Sequence, residues 1–350
     1  MDLRSKEVTM LGKASKIAVS IFVALGLIFA SSGCGKFKIS RLQANYNFSK
    51  ANQHFKKEEY RKAIDLYEKA VAYNPHLGEA YQYLGESYKN IYKPGDNTPQ
   101  NLQKAEKALE ALKKAAEIFP NNKQILYSLA DMYDRLQNFD EAEKLYLRIL
   151  QMEPNNMSNY YVLAGFYQKY SAGSEEERRD AEGRLVKTPF QKAEEMYLRR
   201  IELDPENPEG YAYAAQFYDN VRPAPLFDKA YEFHELRLKF DPNNAEVWYS
   251  IGVNRFSKAF RLQNVLSYEE REKCGKESEN ALKKAIEIDP NYANAYHYMN
   301  ILYRNIYVGL YPEKEDLYIA EAERWGERGL EIAKRAAERH RLEEELKGKK

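Results

Sequence analysis

One stretch of the chain is apolar but for a lone Ser20: Ile17 to Ala30, IAVSIFVALGLIFA, holds fourteen residues without a charge. At ~1.5 Å per residue it spans roughly 21 Å, short of the ~30 Å hydrocarbon core of a bilayer. That length predicts the apolar region of an export signal and not a span. Beyond it the pattern changes. Apolar residues recur at i, i+3, i+4 and i+7 with charged residues between them, which predicts amphipathic helices throughout. Six prolines close such helices: Pro75, Pro120, Pro154, Pro205, Pro242 and Pro290. Proline lacks the amide donor and disfavours helix at the residue before it, so each is a stop. Asn follows in most cases, as in FPNN, EPNN, DPEN, DPNN and DPNY. The prolines stand 45, 34, 51, 37 and 48 residues apart.

The shortest spacing is the length of one tetratricopeptide unit, and the chain resembles that family. The family's first helix carries a bulky residue, then Leu-Gly, then Tyr. Here the pattern reads Tyr81, Leu84, Gly85, Tyr88, and again Leu126, Leu129, Ala130, Tyr133. It recurs at Tyr160, Leu163, Ala164, Tyr167, and at Tyr211, Ala214, Ala215, Tyr218. A fifth copy has Trp248, Ile251 and Gly252, with Arg255 where Tyr is expected; a sixth has Tyr296, Met299 and Tyr303, with Asn300 in place of Gly. Second helices match through Ala63, Tyr67, Ala70 and Pro75, through Ala142, Tyr146 and Pro154, and through Ala193, Tyr197 and Pro205. The first unit departs from the pattern, with Asn47, Lys50 and His54 at its key places, and the last runs into a charged helix. The resemblance implies an all-α fold: a right-handed superhelical solenoid of about seven helix pairs over residues 44–336, followed by a charged helix end at 337–350. No pair buries its apolar stripe alone, so the pairs stack. Much of the Tyr excess, 29 residues, is then packing.

The spacings beyond 34 locate inserts at the turn inside a pair. They are KPGDNTPQN near 97, SAGSEEERRDAEGRLVKTPF near 180, RPAP near 224, FRLQNVLSYEEREKCGKES near 269 and VGLYPEKED near 312. Either they lengthen helices and loops, or they form a second recognition edge along one side of the solenoid. YKNIY (Tyr88 to Tyr92) and YRNIY (Tyr303 to Tyr307) each precede an insert.

Residues 1–33 resemble a bacterial lipoprotein signal. Lys13 and Lys16 precede the apolar run, Ser31, Ser32 and Gly33 follow it, and Cys34 comes next. The family usually has Leu where Ser31 stands. Met10 offers a second possible start. The resemblance implies that Cys34 carries lipid and that residues 34–43 are a short tether; a cleaved leader without lipid and an uncleaved anchor stay open. Cys274 then has no partner for a disulfide. Gly35 stands where retention in the inner membrane favours Asp, so the expected location is the outer membrane, facing the periplasm.

The chain holds 54 Lys and Arg against 53 Asp and Glu; the leader takes four and two, leaving 50 against 51. That balance argues against a nucleic-acid binder. His54, His76, His234, His297 and His340 show no zinc spacing, and no phosphate loop or nucleophile elbow occurs. The reading is therefore a non-enzymatic scaffold without metal or cofactor. Its partners are other proteins, through extended peptides or helices, and a membrane through the N-terminal lipid, with no nucleic acid and no evident small-molecule substrate. A soluble periplasmic binding module and an envelope enzyme are the alternatives. In the family, first helices line a concave groove. By register the groove presents Phe48, Gln82, Tyr127, Tyr161, Ala212, Tyr249 and His297 in one row. One turn on come Asn52, Glu86, Asp131, Gly165, Gln216, Val253 and Ile301. Aromatic rings would supply contact area and amides would bond a peptide backbone; equally, some of these Tyr pack internally. The first row holds no Lys or Arg, which speaks against the carboxylate clamp of chaperone-binding members.

Overall fold

The computed structural model describes residues 39–171, 178–179, 182–183, 185–222 and 224–347. Cys34, the leader and most of SEEERRDAEGR lie outside the described residues. Within them the helices fall into seven consecutive pairs. These are α1 (39–56) with α2 (Tyr60–Tyr73), α3 (Gly78–Ile91) with α4 (Pro99–Ile118), and α5 (Lys123–Arg135) with α6 (Phe139–Met152). Then follow α7 (Met157–Tyr170) with α8 (Pro189–Leu203), α9 (Pro208–Asp219) with α10 (Phe227–Leu238), and α11 (Ala245–Arg261) with α12 (Tyr268–Ile288). Last come α13 (Ala293–Leu302) and α14 (Glu315–Lys347); α13 continues through a π-helical turn, Tyr303–Tyr307, into Val308–Leu310. A two-residue antiparallel ladder joins Arg178–Arg179 to Leu185–Val186 between α7 and α8. The chain divides into two compact units, one ending at Glu153 and the other beginning at Pro154. Each is all-α but for that ladder.

The proline-asparagine signature has two physical parts. The Asn is the N-cap of the next first helix. Asn122, Asn156, Asn207 and Asn244 each accept a backbone N–H of the first turn, satisfying a donor that the helix start leaves open. The proline carbonyl accepts from the bulky residue six positions on. Tyr160, Tyr211 and Tyr296 hydroxyls donate to the carbonyls of Pro154, Pro205 and Pro290 at 2.9, 2.7 and 3.0 Å. Trp248 Nε1 donates to that of Pro242 at 2.8 Å. Where Leu126 has no polar tip, Arg148 Nη2 takes the Pro120 carbonyl instead, at 2.7 Å.

Small residues set the approach within a pair. A Cβ on Gly85 would lie 2.5 Å from Leu112, and one on Gly252 would lie 2.6 Å from Leu282. In the last pair the small residue has changed sides. Asn300 donates to the Ala322 carbonyl at 2.6 Å, and α14 supplies Gly326 and Gly329, whose Cβ positions would lie 2.8 Å from Asn300 and 2.9 Å from Tyr296. Arg255 replaces Tyr by a different route. It is buried, its guanidinium sits 4.1 Å from the Tyr231 ring, and it donates to Asn254 Oδ1 and the Phe227 carbonyl at 2.8 and 2.9 Å.

Neighbouring pairs are tied by a recurring bond from a first-helix Tyr to a Glu on the preceding second helix. Tyr88 donates to Glu68 at 2.6 Å, with Lys107 on both groups. Tyr218 donates to Glu194 at 2.7 Å, with Lys229 3.2 Å from the same carboxylate.

The structure adds detail to two expectations. The first helix begins at residue 39, inside the stretch 34–43 read as a tether. Ala44 is the first buried residue of that helix, and Ile39 and Leu42 before it are exposed. Several inserts are helix. Pro99 to Asn101 open α4 with Pro at its start. Residues 268–279 open α12 behind a capping box, in which Ser267 and Glu270 bond each other's backbone amides.

Candidate functional site

The two units use the expected groove positions differently. In the first, the positions are taken up by contacts with neighbouring side chains. Phe48 packs on Tyr67 and Tyr83 at ring distances of 6.0 and 6.2 Å, and Asn52 accepts the Tyr67 hydroxyl at 2.6 Å. Lys89 bridges Glu86 and Asp131 at 2.9 and 3.0 Å; Ser128 donates to Glu86 and Arg135 pairs with Asp131. Tyr127 faces Tyr146 at 6.2 Å, and burial raises its hydroxyl pKa. Gln82 is half-buried beside them.

In the second unit four expected positions converge. Ala212, Gln216, Tyr249 and Val253 line one open cavity of about 620 Å³ between α9 and α11. Tyr249 is held by Tyr292 and Tyr298, with ring distances of 5.1 and 5.4 Å, and burial pushes its hydroxyl up to about 12. Tyr161 is 43% exposed and packs against Tyr213 with tilted rings 4.5 Å apart; Tyr213 in turn covers the Arg200 guanidinium at 4.4 Å. Gly165 and His297 are exposed and Ile301 is half-buried. None of Tyr161, Gly165, His297 and Ile301 lines the cavity, although Tyr213, beside Tyr161, does.

The second helix α10 adds a floor that the first-helix register did not foresee. His234 Nε2 lies 3.2 Å from Asp219, which also accepts Asn254 at 2.6 Å. Arg237 reaches Glu246 only at 3.4 Å. Arg237 Nε and His234 Nδ1 are buried beside the cavity with no hydrogen-bond partner. No regular spacing marks His234 or Arg237 in the sequence. The signal was weak but present: polar side chains on a helix whose apolar positions are otherwise regular.

A second hollow, about 870 Å³, lies along α8 at the longest insert and is lined in part by Leu185, Val186 and Leu198. Among the described residues no group of His, Cys, Asp and Glu is arranged to hold a metal. No helix there is long and apolar enough to cross a membrane. Cys274 is free and buried, which pushes its thiol up and keeps it from the reactive thiolate form.

Residues 102–164 match the family described as tetratricopeptide repeat. That segment carries tetratricopeptide repeat sequence. The matched segment runs from α4 into α7, and the same paired register continues on both sides of it. No curated protein matches the repeat chain in sequence. Among solved structures it is similar to MamA, at 18% identity, covering 60% of this chain and 97% of that one with a TM-score of 0.38. It is also similar to YrrB, described as a TPR protein with an unusual peptide-binding site, at 19% identity, 66% and 96% coverage and a TM-score of 0.36. A tetratricopeptide repeat protein from Parabacteroides merdae ATCC 43184 is similar at 14% identity, 84% and 98% coverage and a TM-score of 0.43.

Proposed function

We propose that this repeat protein is a lipid-anchored scaffold of the bacterial cell envelope, holding an extended peptide or helix of a partner protein in the cavity between α9 and α11. The observation that carries the reading is the convergence of Ala212, Gln216, Tyr249 and Val253 on that one cavity. The combination suits a peptide: a ring for contact area, a free amide for the backbone, and small residues that leave room. Arg237 Nε and His234 Nδ1 give a partner polar groups to satisfy, and a buried unmet polar group costs about 1–3 kcal/mol. The anchoring half rests on the signal-like leader and Cys34.

Each half has its own test. Partners captured from envelope extracts by the full chain should be lost with Tyr249→Ala and Gln216→Ala, by about tenfold or more if Tyr249 anchors the contact. Tyr127→Ala should change capture little. Partners kept by both cavity variants would exclude the cavity and move attention to the hollow along α8. Labelling with a clickable palmitate should mark the wild type and vanish in Cys34→Ala. A cleaved, unlabelled protein in the soluble periplasm would leave a free binding module.

A further inference from the structure

The outer side of α1 exposes large apolar residues. Ala44 and Ala51 are buried and face α2 and α3, while Ile39, Leu42 and Tyr46 point away and are 59, 69 and 66% exposed. At 3.6 residues per turn, positions 39, 42, 46, 49 and 53 share one narrow stripe on the side opposite the buried one. Its first two turns are apolar and its last is Ser49 and Gln53. Charge is distributed with it. Gly35 to Lys57 contains six basic residues (Lys36, Lys38, Arg41, Lys50, Lys56 and Lys57) and no acidic one. Past the leader the chain has 50 basic and 51 acidic residues, so taking out these six leaves 44 against 51 for the rest. Of these six, Arg41, Lys50 and Lys56 stand on α1 with the exposed apolar stripe, Lys57 follows its last turn, and Lys36 and Lys38 lie outside the described residues.

We propose that this face of α1 lies on an anionic lipid surface, with Ile39, Leu42 and Tyr46 at the headgroup boundary and the surrounding Lys and Arg on the phosphates. An amphipathic helix with a basic rim binds in this way, by apolar area and charge together. The inference deepens the anchoring reading: Cys34 lies five residues before Ile39, so the chain between them reaches at most about 18 Å. A lipid on Cys34 would hold α1 against the bilayer, and docking of α1 would fix how the first unit stands on it.

The test places an indole on the stripe. Full-length chain carrying Leu42→Trp is reconstituted into phosphatidylethanolamine and phosphatidylglycerol vesicles with brominated acyl chains. Trp248 and Trp325 of the unsubstituted chain give the baseline. Leu42 is exposed, so the larger ring displaces no packing. The expected result is loss of the added emission through contact quenching, lessened when phosphatidylcholine replaces the anionic lipid or when Lys50→Gln and Lys56→Gln are added. Emission at position 42 that survives on vesicles carrying the chain overturns the docking while leaving the anchor in place. Cross-linking of position 42 to a second copy or to the leader, with no quenching, overturns it in favour of that occupant. Quenching that ignores lipid charge overturns the anionic part. Quenching without palmitate on Cys34 supports the docking and removes the anchor.

Discussion

YKNIY and YRNIY differ in one residue, yet they end differently. In the first copy, helix α3 stops at Ile91 and Tyr92 turns extended, at φ −75° and ψ 139°. In the second copy the helix widens into a π turn over all five residues and runs on to Leu310. The reasons lie outside the pentapeptide. Pro94 follows the first copy closely and disfavours helix at Lys93, and Gly95 then takes a left-handed φ of 83°. The second copy meets no proline until Pro312, and the Val308 N–H bonds back to the Tyr303 carbonyl.

Neighbours also differ. Tyr88 shares the half-exposed Glu68 with Lys107. Tyr303 and Tyr307 both donate to Glu279, at 2.8 and 2.5 Å, and Glu279 is largely buried. Burial alone would raise the Glu279 carboxyl, but Lys283 and the two hydroxyls outweigh it and hold it below the ordinary carboxylate range. The same Tyr–Glu device is thus a surface tie in one unit and a core element in the other.

Four measurements break or sharpen that contrast. A proline directly after the second copy should have the largest effect. Val308→Pro removes the donor that closes the π turn and should cost about 3 kcal/mol in chemical denaturation, whereas Pro94→Ala should cost little. Next comes Glu279→Ala, expected to cost about 2–3 kcal/mol because it strands two buried hydroxyls and Lys283. Glu68→Ala should cost under about 1 kcal/mol, as exposed pairs do; equal losses would erase the distinction.

Alkaline pH gives a smaller test. Burial and Glu279 raise the Tyr303 hydroxyl, and burial and Glu68 raise Tyr88 while Lys107 pulls it back. A Tyr raised above its unfolded value of ~10 keeps its proton longer in the native state. Its contribution is intact below about pH 10 and is lost as pH rises through the folded value. Stability measured from pH 9 upward should therefore fall less steeply in Tyr303→Phe than in wild type, and Tyr88→Phe should flatten it less. The smallest expected effect is at Gly165, where a Cβ would meet nothing within 4 Å. Gly165→Ala should leave stability unchanged or slightly raised, unlike Gly85→Ala or Gly252→Ala, which must displace a Leu.

Much of the fold was legible along the chain because it is set locally. Helical period, proline stops and small residues at fixed offsets each act within one pair. They gave the number of pairs and the place of the inserts. The register fixed which first-helix residues share a row. Packing, not the register, decided that Ala212, Gln216, Tyr249 and Val253 line one cavity and that Lys89 bridges Glu86 and Asp131.

What sequence alone determined here is the periodic part: which residues face inward on each helix, where each helix stops, and that pairs must stack to bury their stripes. What only the tertiary structure decided is the fate of polar groups. Whether Glu279 becomes a core group, how Arg255 replaces Tyr, and why His234 and Arg237 border a cavity all depend on partners far along the chain. Hydrophobic burial follows a repeat that a single helix displays. A hydrogen bond depends on distance and angle to one particular atom, and those distances exist only once the helices are packed.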